Sequence, residues 1–145
     1  MTDTDITRTH THRAPVLAEG DSSAGIAHAR DVTRAFVDGL TPAPAAGTAE
    51  TLALVVSELT TNALRYGGGR YTLELTATAD ALHAAVSDPS PAPPRERTPD
   101  LNGGTGGFGW PMVRHLTSMV TVTPGPGQGK TVHARLRRRP RFVDS

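Results

Sequence analysis

Four polar side chains lie at spacings that would place them on one face of a helix. Glu58, Thr61, Asn62 and Arg65 stand at positions i, i+3, i+4 and i+7, and these positions share a face in an α-helix. A carboxylate and an amide on that face could orient a hydroxyl and bind a divalent ion. Mg²⁺ prefers oxygen ligands and keeps several waters, so one amide oxygen and the phosphates of a substrate would suffice. A solvated helix face is the alternative interpretation.

Two further features could contribute to a ligand site. Asp88 closes a predicted strand just before Pro89, where a carboxylate could accept a hydrogen bond from an exocyclic amine or simply cap a turn. Residues 103–109 have the sequence GGTGGFG and run into a predicted helix. Glycines let backbone N–H groups approach phosphate oxygens, and a helix N-terminus adds partial positive charge. The segment matches neither the P-loop nor the Rossmann fingerprint, and a flexible linker is the alternative.

Hydrophobic periodicity predicts the elements that must position these residues. Apolar residues three and four apart indicate a first helix over 22–40 and a second helix that ends at the glycines 67–69. The period then changes to two, which indicates an antiparallel hairpin with one buried face over 71–76 and 82–87. Further predicted elements are an edge strand at 13–17, a loop over 89–109, a third helix over 110–117 and strands at 119–123 and 131–137. This order of elements predicts a mixed α/β protein, more specifically an α+β two-layer sandwich.

The composition limits the class of protein. The chain has 145 residues, no cysteine, and 15 basic against 14 acidic side chains, for a formal charge of +1. One domain fits this length, and the lack of cysteine excludes disulfides and thiolate metal sites. A near-neutral charge does not favour a strongly electrostatic nucleic-acid binder. Without a long apolar run or a signal-peptide pattern, a soluble cytoplasmic protein is expected.

Together, these motifs resemble the ATP-binding domain of the GHKL superfamily, which includes gyrase, histidine kinases, a heat-shock chaperone and MutL. Residues 57–66 (SELTTNALRY) resemble its N box, 88–90 (DPS) its first glycine box and 104–113 its second. Residues 129–131 (GKT) resemble the closing Gly-Thr element. The resemblance covers about 22–137, and a free-standing domain with a short N-terminal extension is similar to the bacterial anti-sigma-factor serine/threonine kinases.

The resemblance implies a role for each matched residue. Glu58 would be the general base for the attacking hydroxyl, Asn62 the Mg²⁺ ligand and Asp88 the acceptor for the adenine amino group. Thr131 would support adenine recognition through Asp88. The nucleotide-binding residues that the resemblance implies are Asn62, Arg65, Asp88, Ser90, Gly104, Gly106, Gly107, Phe108, Gly109 and Thr131.

Fold, cofactors and partners are also implied by the resemblance. A GHKL domain over 13–137 would have a mostly antiparallel mixed sheet covered on one face by helices. A disordered tail at 1–12 and a basic tail at 138–145 would flank it. ATP and Mg²⁺ are the implied cofactors. The implied partners are a sigma factor, an anti-sigma-factor antagonist of the STAS type and a second copy of the chain, but neither nucleic acid nor a membrane.

Three functions compete on these grounds. The first is an ATP-binding anti-sigma factor that phosphorylates its antagonist on serine or threonine, and the presence of Glu58 and Asn62 favours it. The second is a non-catalytic module that regulates transcription or signalling through partner contacts, with or without nucleotide. The third is a DNA-binding regulator that uses the basic residues 135–141, which the charge balance and the absence of a recognition-helix pattern disfavour.

Overall fold

The computed structural model describes residues 13–91, 109–125 and 127–138. Gly109 is the first described residue after the longer internal gap. Outside the described residues lie the predicted tail at 1–12, the candidates Gly104, Gly106, Gly107 and Phe108, and all but the first residue of the predicted basic tail.

Three helices and five strands make up the described part of the chain, in the order that the sequence predicts. The helices are α1 (Ser23–Asp38), α2 (Thr48–Tyr66) and α3 (Gly109–Leu116). The strands are β1 (Arg13–Gly20), β2 (Tyr71–Ala77), β3 (Ala81–Asp88), β4 (Met119–Pro124) and β5 (Lys130–Arg137). The strand bounds agree with the prediction to within one residue, except that β1 continues to Gly20. One of the one-residue differences concerns the site, since β5 begins at Lys130 rather than Thr131.

The strands form one sheet in the order β1-β2-β3-β5-β4. The predicted two-layer α+β fold is confirmed, and all four pairings of the described strands are antiparallel. β3 lies at the centre, between β2 and β5. Its register with β5 aligns Asp88 with Lys130 and Ser87 with Thr131. Since neighbouring residues of a strand point to opposite faces, this register puts Asp88 and Lys130 on the same face of the sheet.

The helices cover one face of the sheet because the sequence of α2 carries a continuous apolar stripe. Leu52, Val55, Val56 and Leu59 of this stripe are buried with the inward-facing residues of β2 and β3. α2 ends where the N–H of Gly67 bonds the carbonyl oxygen of Ala63. None of the described helices is both long and apolar enough to span a membrane.

The opposite face of the sheet is polar. His83 and His133 stack there with their ring centroids 5.3 Å apart. Partial burial of the imidazole lowers the pKa of His83, and the neighbouring His133 lowers it further. The hydroxyl of Thr131 lies on the same face, 2.7 Å from the hydroxyl of Ser87. The side chain of Thr131 is therefore directed away from the helices.

Candidate functional site

A buried ion pair joins the ends of β3 and β5. The ammonium of Lys130 lies 3.0 Å from Oδ1 and 2.9 Å from Oδ2 of Asp88. Only 4% of the Asp88 side chain and 7% of the Lys130 side chain are exposed. The backbone N–H of Ser90 also donates to Oδ1 at 2.9 Å, and Lys130 donates to the carbonyl oxygen of Ser90 at 3.3 Å. The carboxylate is thus held in one orientation at the end of a central strand.

Two glycines allow the backbone to approach Asp88 closely. A Cβ at Gly67 would overlap Oδ2 of Asp88, and a Cβ at Gly129 would overlap its carbonyl oxygen. Gly67 has a φ of −109°, which other residues also adopt, so the requirement there is for space and not for backbone conformation. The end of α2 therefore packs directly against the candidate adenine-binding carboxylate.

We expect Gly67→Ala to destabilise the protein by about 1–3 kcal/mol, the usual cost of overpacking a tight site. The added methyl group must displace the Asp88 carboxylate or the end of α2. Urea unfolding measures the cost. In a background with both Asp88→Ala and Lys130→Met the cost should shrink, because the two closest atoms, both of the Asp88 carboxylate, are gone and only the carbonyl oxygen of Ala63 remains close, at 2.9 Å. An equal cost in both backgrounds would place the strain elsewhere.

A small cavity lies between α2, α3 and the sheet, with Asp88 in its wall. Its lining combines the polar residues Asn62, Asp88 and Lys130 with the indole of Trp110. The other lining residues are Leu59, Ala63, Tyr66, Val86 and Val132. The free volume is about 10 Å³, which is room for about one water molecule. A base could enter only if part of this lining moved.

A larger cleft of about 550 Å³ lies between α1 and α2, and Glu58 lines it. Thr61 and Arg65 are on the same side of the cleft, and Arg30 lines it from α1. The guanidinium of Arg30 donates to the hydroxyl of Ser57 at 3.3 Å. The candidate base thus faces an open, polar space that a hydroxyl-bearing side chain from another protein could enter.

The candidate residues follow one another along α2. Gly67 touches Asp88 at the end of the helix, Asn62 is buried about one turn before it, and Glu58 lies one turn earlier still. At 1.5 Å per residue, Glu58 is about 14 Å along the helix axis from Gly67. Asn62 lines the cavity together with Asp88, whereas Glu58 lines the separate cleft between α1 and α2, so the structure does not bring Glu58 into the same space as the other two.

The other predicted site residues are placed as follows. Ser90 contacts Asp88 through its backbone N–H, and Arg65 lines the cleft beside Glu58. Gly109 is buried at the first position of α3, where a helix N-terminus favours an anion. Thr131 is not brought to Asp88, because its side chain lies on the opposite face of the sheet.

The sequence analysis did not select Lys130 and Trp110, which both line the cavity. A signal for Lys130 was available: it is the only lysine of the chain, and it alternates with Val132 and Ala134, which face the core. Trp110 is the only tryptophan, and the guanidinium of Arg114 lies 5.9 Å from its ring centroid.

The described residues contain no cluster of side chains that could bind a metal ion without ligands from another molecule. They contain no group of three or more His, Asp or Glu side chains that could hold an ion. The buried amide of Asn62 beside the cavity fits an Mg²⁺ ion that takes most of its ligands from phosphates and water. Any ion at this site would therefore depend on the nucleotide.

Comparison with known proteins identifies a family and shows similarity to solved structures. A family model described as a histidine kinase-like ATPase domain matches residues 22–136. A search of curated proteins finds no match. Among solved structures, the chain is similar to the RsbU and RsbW domains of Rv1364c from Mycobacterium tuberculosis, with a TM-score of 0.63 and 16% sequence identity. That match covers 91% of this chain and 35% of the other, and at this identity it shows a shared fold.

Proposed function

Because the chain belongs to the histidine kinase-like ATPase domain family, we propose that it binds ATP with Mg²⁺ between α2, α3 and the sheet. The observation that carries the proposal is the buried Asp88 carboxylate at the end of β3, packed against the glycine that ends α2. The Asp88 carboxylate, held in one orientation, would accept a hydrogen bond from the adenine amine. Nucleotide phosphates would then lie near Asn62 and the N-terminus of α3.

The proposed activity is transfer of the γ-phosphoryl group to a serine or threonine of an antagonist protein. Glu58 would accept the proton of the attacking hydroxyl, and the cleft in front of it is open to such a side chain. Phosphoryl transfer depends mostly on positioning and charge stabilisation. Mg²⁺ bound at Asn62 would neutralise the charge that develops on the phosphate oxygens. These features support a protein kinase.

The proposed biological role is that of an anti-sigma factor in the cytoplasm. In this role the domain would hold a sigma factor inactive and phosphorylate a STAS-type antagonist. The proposal rests on the similarity of the N box and the glycine boxes to those of the anti-sigma-factor serine/threonine kinases.

A second candidate is a partner-binding module without catalysis. The closed cavity and the ion pair between Asp88 and Lys130 favour it, because both oppose entry of a base. In this case the domain would act through its surface alone.

Phosphate incorporation separates the two candidates. The protein would be incubated with Mg²⁺, γ-labelled ATP and candidate STAS-type antagonists, and labelled phosphoserine or phosphothreonine would be measured by mass spectrometry. Transfer that requires the protein supports the kinase. Capture of a sigma factor and an antagonist without transfer supports the second candidate.

Asn62→Ala is expected to remove the dependence of ATP binding on Mg²⁺, because the ion would lose its protein ligand. Calorimetric titrations with and without Mg²⁺ measure this dependence. Thr61→Ala is the matched control, since the Thr61 hydroxyl bonds the carbonyl oxygen of Ser57 within the same helix. If Mg²⁺ strengthens binding equally in Asn62→Ala and in the parent, another residue holds the ion.

A further inference from the structure

We propose that Lys130 competes with the nucleotide base for Asp88, so that adenine must displace a buried ammonium to bind. The inference rests on the proposed nucleotide site and adds the residue that sets its affinity. Lys130 contacts both oxygens of the carboxylate, at 3.0 and 2.9 Å. It also lines the cavity that the base would enter.

The competition follows from the donors and acceptors at this site. An ammonium and an adenine amine are both donors, and both need the lone pairs of the same carboxylate. Oδ1 of Asp88 already accepts hydrogen bonds from Lys130 and from the backbone N–H of Ser90, and Oδ2 lies 2.9 Å from the Lys130 ammonium in the ion pair. A hydrogen bond to an ionised carboxylate is charge-assisted for either donor, but only the ammonium adds the attraction between opposite charges, which is strong where water is excluded. The amine therefore meets a carboxylate whose best positions are taken by a stronger donor.

Space leads to the same conclusion. The cavity has about 10 Å³ free, whereas sites for small ligands have about 300–1,000 Å³. A base can enter only if part of this lining moves. Lys130 has a flexible four-carbon stem and a second acceptor within reach, since the carbonyl oxygen of Ser90 lies 3.3 Å from its ammonium. The ammonium can thus leave Asp88 without losing every partner.

Lys130→Met tests the competition through affinity. Methionine keeps the length of the apolar stem and removes the charge, so the variant should bind ATP and ADP about tenfold or more tightly than the parent, the scale of one charged hydrogen bond. Arg135→Met is the matched control, because it removes one positive charge from the exposed face of the same strand and should not change affinity. Equal or weaker binding by Lys130→Met would overturn the competition.

A second measurement uses the unaltered chain and does not depend on the folding of a variant. Lys130 is the only lysine, so labelling with ε-¹⁵N-lysine gives a single ammonium signal in NMR spectra. The signal should shift or disappear when ADP saturates the protein, because the ammonium leaves Asp88. An unchanged signal at saturation would reject the competition and leave the nucleotide site standing.

The two proposals fail in distinguishable ways. If calorimetry detects no binding of ATP or ADP to either the parent or a folded Lys130→Met, the nucleotide site itself is rejected, and the competition with it. If the parent does not bind but Lys130→Met does, both the site and the competition are supported.

Discussion

Glu58→Gln is expected to lower phosphoryl transfer to a serine-bearing antagonist by about 10²–10⁴-fold, the usual contribution of general-base assistance. Glutamine keeps the size of the side chain and removes its basicity. Glu58 lies at the open cleft and not in the wall of the cavity that holds Asp88, so ATP affinity should stay near that of the parent. Single-turnover incorporation of labelled phosphate, alongside calorimetric ATP titration of the same variant, measures both quantities.

Glu50→Gln is the matched control for this change. Glu50 lies in the first turn of the same helix and forms an exposed ion pair with Arg34, with 3.0 Å between Nε and Oε2. Exposed ion pairs of this kind contribute about 0.2–1 kcal/mol to stability. Glu50 is not part of the candidate site, so its change to glutamine should leave phosphoryl transfer unaltered. Equal transfer rates in Glu58→Gln and the parent would mean that Glu58 is not the base.

Asp88→Asn should weaken binding of adenine nucleotides by about 5- to 150-fold, which corresponds to about 1–3 kcal/mol for a mismatched buried polar contact. The new amide would present donors to a base edge that also donates. Asp80→Asn is the control, because Asp80 lies in the exposed turn between β2 and β3 and bonds the hydroxyl of Thr78. Affinity equal to that of the parent would remove Asp88 from the site.

Asp88→Asn is also expected to lower the stability of the fold, so its free energy of unfolding must be measured alongside its nucleotide affinity. Removing one partner of a buried ion pair costs about 3–5 kcal/mol, and Asp88→Asn leaves the ammonium of Lys130 without its carboxylate. The double variant Asp88→Asn with Lys130→Met removes both charges and should recover much of that loss. It should still bind adenine nucleotides more weakly than Lys130→Met alone, since only Asp88 supplies the ionised acceptor.

Much of the fold could be predicted because local patterns and tertiary structure agree. The apolar stripe of α2 is at 3.6-residue spacing, and Gly67 ends the helix as predicted. β2 alternates between buried and more exposed residues, which matches a sheet with one covered face, while the central strand β3 is buried except for the half-buried His83 and Ser87. In each of these elements, the pattern that forms the local structure is also the pattern that the core buries.

The alternation in β5 predicts which of its residues face the core, but not which of them pairs with Asp88. The motif suggested that Thr131 supports Asp88, but the register pairs Asp88 with Lys130 and places Thr131 on the other face. A shift of one residue in a strand exchanges its two faces, and periodicity alone does not fix which residue lies opposite Asp88. The predicted strand also begins at Thr131, so Lys130 falls outside it, between the turn that ends at Gly129 and the strand.

Trp110 was missed for a different reason. Its place in the cavity depends on how α3 packs against α2, and α3 has only eight residues. The sequence of so short a helix predicts where it begins but not which of its residues meets the sheet.

Titration of the intrinsic fluorescence of Trp110 with nucleotides tests the central claim most directly, because the only tryptophan of the chain lines the proposed adenine cavity. ATP and ADP should each produce a saturable change, and the two should compete for one site. Under the same conditions, GTP should produce little change. If calorimetry also shows no heat of binding, an unchanged signal at saturating ATP would contradict the assignment of this cavity as an adenine nucleotide site.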